Sequence, residues 1–147
     1  MMNALKLAGI AFAGAALAAG GAGAAELKVL SVDAMKPALQ QLAPSFEKAS
    51  KEKVKIDYAS AADVEKKINA EEEYDVVIAD KKATDEFNKT AKIAGGLVKP
   101  LAKKGSDVIE ASSTNWTQQP GAAKALIDFL AAPQAAAVYK EKGLQPG

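Results

Sequence analysis

Residues 74–80 read "YDVVIAD", Tyr74–Asp80. A strand wetted on one face alternates apolar and polar side chains. This run instead keeps four apolar residues together between two aspartates, the pattern of a strand covered on both faces by helices. Its neighbours agree. "ELKVLSV" (Glu26–Val32) is a short apolar run with β-branched residues and reads as a first buried strand, while "VKIDYAS" (Val54–Ser60) alternates and reads as a second. Between them Met35, Leu39, Leu42 and Phe46 recur at three- and four-residue steps, one face of a helix. Asp33 is the start signal of that helix and Pro37 suits its first turn, whereas Pro44 is expected to kink or split it. Ser60 is placed to cap a further helix, Ala61–Ala70, with Asp63 at its third position.

Downstream, Ala83–Lys92 reads as a helix ended by Gly95-Gly96. "LVKPLAK" (Leu97–Lys103) gives a shorter strand that Pro100 pushes to an edge, and "DVIEAS" (Asp107–Ser112) another. Two Ala-rich helices follow, with Pro120 and Pro133 in their first turns. Leu126, Phe129 and Leu130 form one apolar stripe, Val138 and Tyr139 begin the next, and Gly143 is the stop. Strand–helix alternation with short turns implies an α/β fold: a single three-layer lobe, its sheet mostly parallel, with right-handed crossovers and helices on both faces. Such sheets take ligands beyond the carboxyl ends of their strands. The residues there are Val32, Asp33 and Ala34, then Ser60, Ala61 and Ala62, then Asp80 and Lys81.

Composition narrows the chemistry. The 147 residues suit one domain, 49% are hydrophobic and only 5% aromatic, so the core is built from small side chains closed by Leu, Val and Ile. Nineteen Lys and Arg against 18 Asp and Glu leave a net charge of +1, which offers no electrostatic attraction for nucleic acid or an anionic membrane. Histidine and cysteine are absent, which excludes disulfides, thiol nucleophiles, Cys/His zinc sites and the usual base near neutral pH. The chain reads as a non-enzyme without a cofactor.

Residues 1–25 have the layout of an export signal: Lys6, then the apolar run "LAGIAFAGAALAAG" (Leu7–Gly20), then Ala22-Gly23-Ala24 as an A-x-A cleavage site. The run is too short to span a bilayer, so the expectation is a periplasmic or secreted chain starting near Glu26, with no membrane span after cleavage.

Two turns lead straight into helix N-termini, where free N–H groups and the helix dipole favour an anion. Ser60 adds a hydroxyl, or serves only as its helix's cap. Asp33 caps or, by its charge, repels an anion. Asp33 and Asp80 also resemble the acidic residues of a phospho-receiver domain, which would bind magnesium and accept a phosphoryl group. Only one acidic residue follows the first strand, no later strand carries the expected Thr and Lys, and export argues against that reading. "EEE" (Glu71–Glu73) reads as a solvated turn, and Trp116 as a partly buried loop anchor.

Taken in order, three blocks resemble the periplasmic solute-binding proteins of ABC transporters, of the molybdate-binding type, with their type 2 periplasmic-binding-protein fold. They are "ELKVLSVDAMKPALQQLAPSFEKAS", "KVKIDYASAADVEKKINAEEEYDVVIAD" and "TNWTQQPGAAKALIDFLAAPQAAAVYKEKGLQPG". The resemblance implies a small oxyanion as ligand and a membrane permease as partner. Family members trap the oxyanion between two lobes, the second inserted into the first. Here nothing is inserted. Residues 26–147 would form a single lobe, from 26–101 and 114–147 joined at 102–113, and "KKGSDVIEASS" (Lys103–Ser113) would be the seam. Two serines supply the family's oxyanion contacts in this lobe, and block on block their positions fall on Ala34 and Ala61, with Ser60 one residue away. Asp33, Ala34, Ser60 and Ala61 are therefore the expected ligand-binding residues of a half-site weakened by several kcal/mol, each hydrogen bond to a charged group being worth about 1.5–3 kcal/mol. Two alternatives follow: a stable single-lobe remnant without ligand function, or a receiver-like phosphoacceptor.

Overall fold

The computed structural model describes residues 26–147. The expected export signal, residues 1–25, lies outside the described residues.

Strand β1 (Glu26–Val32) is followed by a 3-10 turn (Asp33–Met35) and helix α1 (Lys36–Ser50). Then come β2 (Lys53–Ala59), α2 (Ala61–Asn69), β3 (Val76–Asp80) and α3 (Lys81–Lys89). After a second 3-10 turn (Gly95–Leu97) the chain forms β4 (Lys99–Lys104), β5 (Asp107–Ser113), α4 (Pro120–Leu130), α5 (Pro133–Glu141) and a two-residue β6 (Gln145–Pro146). The six strands make one sheet in the order β2-β1-β3-β5-β4-β6. Helices α1, α4 and α5 pack together on one face, and α2 and α3 on the other.

The first three strands are parallel, as the alternation predicts. Val76–Ala79 are all buried, which accounts for the uninterrupted apolar run there. The parallel rule stops at β5, which runs antiparallel to both β3 and β4. Of Lys103–Ser113, only Gly105 and Ser106 form a turn; Lys104 pairs directly with Asp107 across a two-residue hairpin. Gly105 has φ +62°, a conformation that costs residues with a side chain about 1–2 kcal/mol. Residues Ile109–Ser113 are buried in the middle of the sheet. β4 lies next to the edge, its outer side closed only at Ala102 and Lys103 by β6, and its ladder shifts register between Pro100 and Ala102, where proline has no N–H to give.

Three expectations for helix ends need correction. Asp33 makes no cap: it opens the 3-10 turn, and α1 starts at Lys36 without a side-chain cap. Pro44 does not split α1, which runs unbroken through it. The Gln40 carbonyl that loses its N–H partner is on the exposed side, while Leu39, Leu42 and Phe46 anchor the helix on either side of Pro44. Helix α3 ends before the glycine pair, because Ala91 itself turns left-handed at φ +58°. The expected cap at Ser60 is present: the Asp63 N–H donates to Ser60 Oγ at 3.2 Å.

Candidate functional site

The carboxyl ends of β1, β2 and β3 and the β4–β5 turn line an open cavity of about 200 Å³. Asp33, Ala34, Ser60 and Ala61, named from sequence on two separate turns, all line it. Their convergence follows from β1 and β2 being parallel in register, Val32 opposite Ala59, so that the two strands hand over to their helices at one level. Val32, Asp80, Lys104, Asp107 and Ile109 complete the wall.

Lys104, Asp107 and Ile109 belong to the stretch that reads from sequence as a seam. They reach the site because β5 is antiparallel, which brings its first residue to the end where β1–β3 finish. A glycine between short polar residues, "KGSD", was the available signal for a tight hairpin.

Backbone N–H groups at the 3-10 turn after β1 and at the start of α2 are the natural anion donors here. The side chains work against them. The lining carries three carboxylates, of Asp33, Asp80 and Asp107, and one lysine, Lys104. Asp80 already caps α3, accepting from the Ala83 N–H at 2.9 Å, and the Thr84 hydroxyl donates to the Asp80 carbonyl at 3.0 Å. The oxygen of Ser60 is engaged by its own helix. At Ala34 and Ala61 there is no hydroxyl to offer. Among the described residues no group of three carboxylates is arranged to hold a metal ion. The antiparallel β5 next to β3 also departs from the all-parallel sheet that a receiver domain requires.

Glu110, the residue after Ile109 on β5, is buried. Burial raises its pKa above the ordinary 4.5, with the Lys81 ammonium lowering it and the Asp85 carboxylate raising it. A carboxyl with a raised folded-state pKa holds its proton more tightly when folded. Stability is therefore gained as pH falls through that raised value and lost as pH rises through it. Glu110→Gln, which cannot ionise, is expected to melt above the wild type at neutral pH, the difference shrinking toward pH 4.5. Melting curves across that range that run parallel for the two proteins would contradict this.

Away from the cavity, Trp116 is the loop anchor the sequence suggests: half-buried, its Nε1–H donating to the Glu72 carbonyl at 2.9 Å. The Glu71–Glu73 run is exposed, and its carboxylates pair singly with Lys92, Lys67 and Lys28.

A family model described as bacterial extracellular solute-binding protein matches residues 27–109. No curated protein matches the sequence. Among solved structures, the substrate-binding domain of a putative molybdenum ABC transporter from Clostridium difficile is similar at 11% identity and TM-score 0.75, over 83% of this chain and 99% of that one. The periplasmic molybdate-binding protein of Azotobacter vinelandii is similar at 14% identity and TM-score 0.76, over 82% and 99%. L-phospholactate-bound PEB3 is similar at 8% identity and TM-score 0.59, over 82% and 100%. At these identities the structures share the fold.

Proposed function

The chain belongs to the bacterial extracellular solute-binding proteins, and from that premise we propose that it is a non-enzymatic ligand carrier of an ABC-type uptake system. In this reading residues 1–25 direct export to the periplasm and are removed, and residues 26–147 form one lobe whose cleft face meets small oxyanions of the molybdate kind. A membrane permease is the partner, and no cofactor takes part. The observation that carries the reading is the convergence of Asp33, Ala34, Ser60 and Ala61 on one cavity at the carboxyl ends of β1 and β2. The place of a second lobe is then the Gly105-Ser106 turn, where β4 and β5 emerge side by side beside that cavity.

The same cavity favours weak capture. An anion here would touch donors on one side only, with three carboxylates nearby and alanines where hydroxyls would serve. Titration calorimetry with molybdate, tungstate and sulfate tests the proposal, with weak, salt-sensitive binding expected. Heat changes no different from buffer at millimolar ligand would leave a single-lobe remnant without ligand function, the reading that the acidic lining favours. A paired variant sharpens the test. Asp33→Asn with Asp107→Asn removes two exposed like charges worth about 0.5–1 kcal/mol each at such a surface. Oxyanion affinity is expected to rise about tenfold, and an affinity unchanged by the pair would place the ligand elsewhere.

A further inference from the structure

Strand β2 is the outer strand of the sheet beside β1, and its Val54, Ile56 and Tyr58 are only half-buried. The Lys28 N–H turns away from β2, donating to Asp75 Oδ2 at 2.9 Å, so Leu27, Val29 and Ser31 are the β1 residues that face β2. By the alternation of a parallel ladder, the outward N–H and C=O groups of β2 belong to Val54, Ile56 and Tyr58. The Val54 N–H is held by Glu47 of α1 at 2.7 Å. Those of Ile56 and Tyr58 make no internal ladder bond and open onto the free edge.

We propose that this edge pairs with β2 of a second copy of the chain, antiparallel, about a two-fold axis at Ile56. The charges select that register. Centred on Ile56, Lys55 lies opposite Asp57 of the second copy and Asp57 opposite its Lys55, so both cross-strand pairs are of opposite sign. Centred one residue earlier, Lys55 meets its own copy; centred one residue later, Asp57 does. On the other face the Ile56 register sets Ile56 against Ile56 and Val54 against Tyr58, covering the half-buried apolar row. Lys55 gains most. Within the chain its in-register neighbour on β1 is Lys28, a like charge, and among the described residues it makes no ion pair. The same lysines discourage pairing with an arbitrary edge, so the contact is selective.

Sedimentation equilibrium of the purified protein tests this, with a charge-swap cycle as the second measurement. A monomer–dimer equilibrium is expected. Lys55→Asp, which sets one carboxylate against another at the pairing with Asp57, is expected to weaken the dimer at least about tenfold. Lys55→Asp combined with Asp57→Lys restores opposite signs and is expected to recover most of the loss, with circular dichroism confirming that both variants fold. A protein monomeric up to millimolar concentration would overturn the proposal. So would a dimer that Lys55→Asp leaves intact, or one that the double swap fails to recover.

Discussion

Ala111→Asp is expected to cost a large part of the fold's stability. Ala111 is fully buried in β5, opposite Ile78 of β3 and Lys99 of β4. A carboxylate there would be dehydrated between two strands, and Lys99 is already bonded to Asp128 at 2.7 Å on the outside of the sheet. An unpaired buried charge costs about 3–5 kcal/mol, against a total stability of about 5–15 kcal/mol for an ordinary domain. The damage also falls on the strand that ties β1–β3 to β4 and β6. Urea unfolding followed by circular dichroism is the measurement, with Ile109→Val as the control, a loss of about 1 kcal/mol. A midpoint for Ala111→Asp close to that of Ile109→Val would mean that β5 is not the central strand.

Asp75→Ala is expected to cost about 2–4 kcal/mol, a large loss for a residue so close to the surface. Its carboxylate gathers three donors from two distant parts of the chain: the Lys28 N–H at 2.9 Å, the Thr117 hydroxyl at 2.6 Å and the Gln119 side-chain amide at 3.4 Å. Bonds to a charged acceptor are worth about 1.5–3 kcal/mol each when buried, and water replaces part of that at a half-exposed site. Next to it, Thr114 donates through its hydroxyl to the Tyr74 carbonyl at 2.7 Å and through its N–H to the Asp75 carbonyl at 3.0 Å. The node fastens the segment leading into α4 to the amino ends of β1 and β3. Asp75→Asn keeps one acceptor oxygen but turns an NH2 group toward donors, so an intermediate loss is expected. In a double-mutant cycle Thr117→Val should lose most of its effect once Asp75 is gone. Additive losses would show that the hydroxyl and the carboxylate act separately.

The alternation of apolar runs and helical stripes in residues 26–89 sufficed to find three parallel strands and their helices, because the buried β1 and β3 are apolar runs and the half-buried edge strand β2 alternates. The strand after Gly105 was harder to place. Asp107–Ser113 carries a buried glutamate and two serines at its end, so its pattern does not announce a strand buried in the middle of a sheet. Its burial comes from β3 and β4, which no local pattern reports. The ends of α1 and α3 escaped the reading for a related reason. Lys51 and Ala91, both exposed, adopt left-handed turns that sequence assigns to glycine, their N–H groups donating to the Glu47 and Asn88 carbonyls at 2.9 and 3.2 Å.

For the site, parallel strands and the rule that ligands gather at their carboxyl ends were enough to bring Asp33, Ala34, Ser60 and Ala61 to one cavity. The acidic character of its wall was not legible, because Asp107 is remote in sequence and arrives only through the reversal of β5.

The Gly105-Ser106 turn has one more property. Its two legs are clamped by Lys104 opposite Asp107, and a glycine with no neighbour within 4 Å of where a side chain would start leaves the tip clear of the body. Lengthening a loop costs only about 0.6 kcal/mol for each doubling. A passenger polypeptide with adjacent ends, spliced in at this tip, would ride on the sheet without prying it open.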